Sequence, residues 1–334
     1  MLLFKESEQN VDISLTNKNK MTDNNGIRSG SLQFYPRVRA KKVIPSANWK
    51  PIKKDGNGLQ GFIGYKVGMV SVFAKDNTPD SLTKGKRITF PATVIECPKM
   101  KIYSVRFYKD GKVSSETVVA NDKFLKRKLR VPTAIKELSA ENDFDDVRVI
   151  VYSLVKNTGI GKKKPDVLEM ALSGSSEEKM SWIKENLKNE ISVKDIFGSG
   201  LVDIRAVTKA YGTNGPVKRF GISLKASKSE KGQRRPGSLA PWHPARVTFR
   251  APQAGQTGFH NRITYNNAIV QVGSIEENNI NPKRGFHRYG NVKNDFMVLA
   301  GSIPGPKKRG LLISAPLRPT KKQSKKNYEV LELR

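Results

Sequence analysis

Apolar residues in this chain recur mostly with a period of two. In Tyr103-Ser104-Val105-Arg106-Phe107 they alternate with polar ones, as a strand with one buried face requires. Lys109-Asp110-Gly111-Lys112 comes next, and Asp-Gly tolerates the positive φ of a two-residue hairpin turn. Residues 88–90 and 92–97 read as two short strands on either side of Pro91. Residues 147–155 are apolar on both faces, the mark of a central strand. Residues 203–208, 268–272, 296–300 and 311–314 predict further strands. Helical spacing is confined to one region. Ser175 with Glu178 fits a capping box, and Met180, Ile183, Leu187 and Ile191 then recur at intervals of three and four. Ser192 with Asp195 predicts a cap for a second short helix running to Phe197, ended by Gly198. The pattern is β-dominated, with a helical subregion inserted around residues 98–200 and no internal repeat.

Charge changes this picture. The 334 residues carry a net +31, from 61 Lys plus Arg against 30 Asp plus Glu. Such an excess repels itself unless something anionic neutralises it, and nucleic acid is the usual partner. A membrane is the rival, but no apolar run approaches the roughly 20 residues of a transmembrane helix. Residues 28–54 hold eight cations and no acid. Residues 205–265 hold twelve cations, opposed only by Glu230. Residues 137–195 are net −3, like an ordinary solvated domain, so the remainder carries +34. Residues 1–20 look unlike the rest of the chain, and Met21 can serve as a start. The segment 1–25 therefore reads as an optional, disordered leader without a secretory signal's apolar stretch. Cys97 is the single cysteine, which excludes an internal disulfide and a cysteine-based zinc site and fits a reducing cytoplasm.

The basic stretch 205–265 carries the functional argument. Lys218, Arg219, Lys225, Lys228, Lys231, Arg234, Arg235, Arg246, Arg250 and Arg262 are interrupted by seven glycines from Gly212 to Gly258. Apolar residues are too sparse for a self-contained core, so the stretch reads as an arm threaded between nucleic-acid helices. Phe220, Trp242, Phe249, Phe259 and His260 offer flat rings that can stack on splayed RNA bases. Phe220 and Phe249 can equally fill small local cores. The other histidines are His243 and His287; no HExxH or carboxylate pair accompanies them, so His243 reads as a contact residue rather than a catalyst or metal ligand. Gly30-Ser31-Leu32-Gln33-Phe34-Tyr35-Pro36-Arg37 opens a basic N-terminal arm, continued by Arg39, Lys41 and Lys42, that orders on binding. The tail Arg318, Lys321, Lys322, Lys325 and Lys326 is either a similar extension or a flexible end.

Four ordered blocks carry a resemblance. Gly64-Tyr65-Lys66-Val67-Gly68-Met69 resembles the G-x-K-x-G-M opening of the large-subunit ribosomal protein L-three family. Val202-Asp203-Ile204 through Gly215-Pro216-Val217-Lys218-Arg219-Phe220-Gly221 is similar to that family's central signature. Ala254-Gly255-Gln256-Thr257-Gly258 and Ser302-Ile303-Pro304-Gly305-Pro306-Lys307-Lys308 resemble its later blocks. Phe34-Tyr35-Pro36-Arg37 and the Trp-x-Pro at Trp242–Pro244 point to the archaeal or eukaryotic branch. The resemblance spans residues 26 to about 318. Three positions depart from it. Lys209-Ala210-Tyr211-Gly212 replaces a Lys-Gly-x-Gly run, Phe220 stands where Trp is common, and Glu230 stands where eukaryotic members carry a modifiable His, so no equivalent modification is expected.

The resemblance implies a six-stranded β-barrel of the translation-protein type with an inserted α+β domain. It implies barrel segments at 61–97 and 201–318, the insertion at 98–200, a basic arm at 26–60, a central loop at about 222–262 and a basic tail at 319–334. It implies a cytoplasmic structural constituent of the large ribosomal subunit. Such a protein binds large-subunit rRNA, helps nucleate assembly and extends its loop toward the peptidyl transferase centre. Its partners would be rRNA and neighbouring large-subunit proteins, with no membrane, small-molecule substrate or second copy, and no cofactor beyond magnesium belonging to the rRNA. The rRNA-contacting set would comprise Arg37, Arg39, Lys41, Lys42, the ten cations named in the basic stretch, Trp242, His243 and His260, together with Lys66, Lys209, Tyr211, Gln256, Lys307, Lys308 and Arg309, with Trp242 near the loop tip. A DNA-binding reading fails because the predicted helices lie in the least basic region. An RNA-processing enzyme would need carboxylates that the basic stretch lacks.

Overall fold

The computed structural model of the chain describes residues 34–54, 56–135, 138 and 144–334; the leader and the opening Gly30-Ser31-Leu32-Gln33 lie outside them. In chain order the strands are β1 (Gly58–Leu59), β2 (Gly61–Asp76), β3 (Arg87–Cys97), β4 (Met100–Lys109), β5 (Lys112–Val118), β6 (Asp146–Ser153) and β7 (Val167–Ser173). Helix α1 (Ser176–Asn186) comes next, then β8 (Leu201–Val207), β9 (Ala210–Asn214) and the short α2 (Pro216–Phe220). The chain closes with β10 (Gly255–Gly258), β11 (Asn261–Gly273), β12 (Asp295–Ala300), β13 (Gly310–Ser314), α3 (Lys321–Ser324) and β14 (Tyr328–Leu333). Contacts divide it into two units, one comprising 42–208 with 261–334, the other 209–260 with the residues up to Lys41.

In the larger unit six strands close on themselves in the order β13-β8-β11-β12-β3-β2, because β2 pairs with β13 as well as β3. All these pairings are antiparallel. The length of β2 makes this possible. Its first residues, Gly61–Tyr65, pair with β13, and Val72–Asp76 pair with β14. β3 is one strand rather than two short ones. Pro91 accepts a bond from the Gly301 N–H at 2.8 Å but has no proton to return; the Thr93 hydroxyl donates to the Gly301 carbonyl instead, at 2.7 Å. One buried carboxylate of the ring is satisfied from within. Glu96 is fully buried and accepts from the backbone of Lys293 at 2.9 Å and Asn294 at 3.2 Å, and from the Tyr289 hydroxyl.

The second sheet of this unit has the order β1-β7-β6-β4-β5, with β6 in the middle as its two apolar faces require. The Asp110-Gly111 turn takes φ of 51° and 73°, as a two-residue hairpin demands. Val105, Phe107, Val147, Val149, Val151 and Met170 from this sheet share one continuous core with Phe62, Ile63, Ile204 and Leu312 of the ring. The insertion is far more strand than helix. In α1 the capping box is complete: Glu178 accepts from the Ser175 N–H at 2.8 Å, and the Ser175 hydroxyl accepts in return at 3.4 Å. Met180 and Ile183 are buried, each stabilising by about 1.5–3 kcal/mol. The helix stops at Asn186, however, so Ile191 lies beyond it and bridges to Met100 instead. Asp195 accepts from the Ser192 N–H at 2.9 Å, but the Ser192 hydroxyl accepts from the Lys194 N–H at 3.2 Å, and the segment is a single turn, not a second helix. No helix among the described residues is long and apolar enough to cross a membrane.

Candidate nucleic-acid interface

Eighteen of the twenty-four sequence-predicted contact residues fall in the smaller unit. Its frame is the two-stranded ribbon of β9 and β10, with Gly255 opposite Asn214 and Gly258 opposite Ala210. Neither strand shows apolar alternation, so sequence reading missed both. Pro216 starts α2 at a position where a missing N–H is harmless, and Gly221 ends it at φ 70°. Ala210 takes ordinary strand geometry. Tyr211 is exposed, with the Lys218 ammonium 5.0 Å from its ring centre.

Arg219 closes the root of the long segment. Its guanidinium donates to the Gln256 carbonyl at 3.1 Å and the Gln253 carbonyl at 3.0 Å. Burial, and then the neighbouring Arg37 charge, lower its pKa from the usual arginine value. Arg37 donates to the Arg219 carbonyl at 2.7 Å and lies 4.4 Å from the Phe220 ring centre, with Arg219 at 5.3 Å. Phe220 is the platform on which these two guanidiniums meet. Tyr35 joins the group, 5.4 Å from Arg37 and 5.8 Å from the Phe249 ring, edge to face. The role of Tyr35 was not assigned from sequence, although the run Phe34-Tyr35-Pro36-Arg37 held the signal.

His260 is buried. Its Nε2 accepts from the Gly258 N–H at 3.1 Å, which leaves Nδ1 to donate to the Val38 carbonyl at 2.8 Å. The Ala40 N–H adds a bond to the Phe259 carbonyl at 2.8 Å, and the Arg39 guanidinium lies 5.6 Å from the Phe259 ring centre. Residues 34–41 are thus tied to the ribbon by backbone, imidazole and stacked guanidinium together.

Beyond this root, residues 222–254 contain turns and bends but no strand or helix. A local turn is closed by Lys225 N–H to Gln233 carbonyl at 3.2 Å and by the Gln233 amide to Ser227 at 2.8 Å. Lys225, Lys228, Lys231, Arg234 and Arg235 are exposed around it, and every residue from 241 to 250 is exposed. Trp242 shows 88 % of its surface and Phe249 65 %, which in water is an unfavourable place for large rings. Lys41, Lys209, Lys218, His243, Arg246 and Arg250 are exposed in the same unit, while Gln256 is half-buried, donating to the Gly258 carbonyl at 2.9 Å.

The other six predicted residues belong to the larger unit. The Lys66 ammonium donates to the carbonyls of Ile303 at 2.6 Å and Gly305 at 3.2 Å, which pins the loop carrying Lys307, Lys308 and Arg309. Lys307 and Lys308 are exposed, and Arg309 is half-buried. Arg262 donates to the neighbouring Asn261 carbonyl at 2.8 Å, and Lys42 is exposed. Among the described residues no group of His, Cys, Asp and Glu side chains is placed to hold a metal.

Residues 21–334 match the protein family described as Ribosomal protein L3. The chain is 40 % identical over 311 residues to the large ribosomal subunit protein uL3 of Archaeoglobus fulgidus, covering 88 % of this chain and 92 % of that one. It is 41 % identical over 309 residues to the uL3 of Methanococcus vannielii, covering 87 % and 91 %. The uL3 of Methanothrix thermoacetophila is 38 % identical over 312 residues, at 87 % and 91 % coverage.

Proposed function

Because the chain belongs to the ribosomal protein L3 family, we propose that it is a non-catalytic structural constituent of the large ribosomal subunit that binds large-subunit rRNA directly. One observation carries this reading: a segment of some thirty residues leaves a firmly bonded root, exposes arginine, lysine and Trp242, and has no secondary structure of its own. Such a segment stays ordered only where another molecule supplies the contacts that its own core does not. Phosphate supplies them for the cations, and base faces supply them for the rings.

Trp242, with His243 and Arg246 beside it, is the leading edge of this segment and in our reading approaches the peptidyl transferase centre. The root, formed where residues 34–41 meet the ribbon, gathers the segment into one body that helps nucleate rRNA folding during assembly. The six-strand ring corresponds to the translation-protein barrel of the family, and neighbouring large-subunit proteins complete the surroundings in the cytoplasm. The protein isolated from its host at moderate salt is expected to sediment with large-subunit rRNA; recovery on chromosomal DNA, or free of nucleic acid, overturns the proposal. In vitro, Arg234→Ala with Arg235→Ala is expected to flatten the salt dependence of rRNA binding by about one unit of log–log slope per lost phosphate contact. An unchanged slope removes these two residues from the interface.

A further inference from the structure

The five-stranded sheet, of which only β6 and β7 lie in the near-neutral stretch 137–195, has an asymmetry of charge. One face of the five-stranded sheet enters the core; the other carries Arg106, Arg148, Glu116 and Glu169. Residues 119–131 lie across that outer face. Leu125 is buried there, Leu129 and Val131 pack on Tyr103, Ile150 and Tyr152, and Lys126, Arg127, Lys128 and Arg130 are left exposed. A groove of about 840 Å³ opens beside them, lined by seven cations and three acids.

The three acids are already engaged. Glu116 accepts from Arg106 at 2.8 Å and Ser104 at 2.6 Å. Glu169 takes Arg106 and Arg148, each at 3.3 Å, together with the Tyr108 hydroxyl. Asp166 takes Lys162 and, at 2.6 Å, the Tyr65 hydroxyl. Lys42, Lys128, Arg130 and Lys164 line the same groove, are exposed, and have no carboxylate partner among the described residues. Of these four only Lys164 lies in the near-neutral stretch 137–195; the acids are spent inside the sheet and the cations are left on the rim.

We propose that this groove is a second RNA site, taking a phosphodiester backbone independently of the long arm. The inference rests on the ribosomal reading above. Net positive lining calls for an anion, and the distribution of cations favours a polyanion over a short acidic peptide. Lys126, Arg127 and Lys163 continue the exposed basic strip past the groove, and Lys156 extends it beside Phe124, 4.5 Å from that ring's centre. The groove's rings, Trp49 and Tyr103, are buried and present no face for stacking, so recognition is of backbone and shape rather than of base identity.

The test uses the full chain and a large-subunit rRNA fragment, with affinity measured against salt. Lys128→Ala, Arg130→Ala and Lys164→Ala together are expected to lower the log–log slope by about 2–3, near 0.7–0.9 per phosphate contact. The loss should add to that of the Arg234/Arg235 variant, and Lys128→Arg with Lys164→Arg should retain the slope. An unchanged slope in the groove variant, with the arm variant still flattened, overturns the second site and leaves the ribosomal reading standing. Unchanged slopes in both variants overturn the two together. An acidic protein cross-linked to Lys128 or Lys164 in the intact subunit, with the slope unchanged, assigns the groove to that protein instead. An unaltered circular dichroism spectrum and thermal midpoint establish that the variant is folded.

Discussion

Arg219 and His260 illustrate how a polar side chain can hold the frame of a candidate interface. Both were read from sequence as RNA contacts, on charge and ring type; in the fold their polar atoms hold the root of the arm. Residue type was legible, but bonding partner was not, because Gln253, Gln256 and Val38 come together only through the ribbon. Gly258 shows the same dependence. It sits at φ 73°, and a Cβ there would collide with the Lys209 carbonyl. Gly258→Ala should cost about 1–2 kcal/mol from the left-handed backbone alone, with the collision added. Gly232 has φ 90° but open space around it, so Gly232→Ala should cost only the backbone part. Hydrogen exchange distinguishes them: the Phe259 amide, bonded to Lys209 at 3.0 Å, should exchange much faster in the first variant and normally in the second.

Elements with strong local patterns were legible: β4, the Asp110-Gly111 turn, the buried β6 and the cap of α1. What escaped depends on partners distant in sequence. The closure of the ring needs β2 to meet β13, some 250 residues further on, and no local spacing announces that. β14 was hidden inside what read as a basic tail. Its Tyr328 packs against Phe90 at 4.9 Å, and its backbone covers the second half of β2. Truncation after Lys326 should therefore expose a strand edge. The melting temperature should fall by several degrees, at about 2–4 °C per kcal/mol lost, and aggregation should rise with concentration. A truncated protein that melts and stays monomeric like the full chain would show that β14 contributes nothing to the sheet.

For the molecule as a whole, +31 charges act in opposite directions on folding and binding. In the free protein salt screens self-repulsion, so thermal stability should rise between roughly 50 and 200 mM salt as the screening length shortens. Over the same range rRNA affinity should fall steeply. Calorimetry and binding on one preparation check both; stability that falls with salt would mean that internal ion pairs outweigh the repulsion. The bonded root of the arm has a further consequence. With β9, β10 and Arg219 holding its ends side by side, the segment is a closed loop of chain, not a free end. A tail can snake into a finished RNA fold one residue at a time, but a closed loop presents twice the girth at every step. On the proposed reading, the RNA would close around this protein like plaster around a peg, and a subunit that had compacted without it would have to be reopened to admit it.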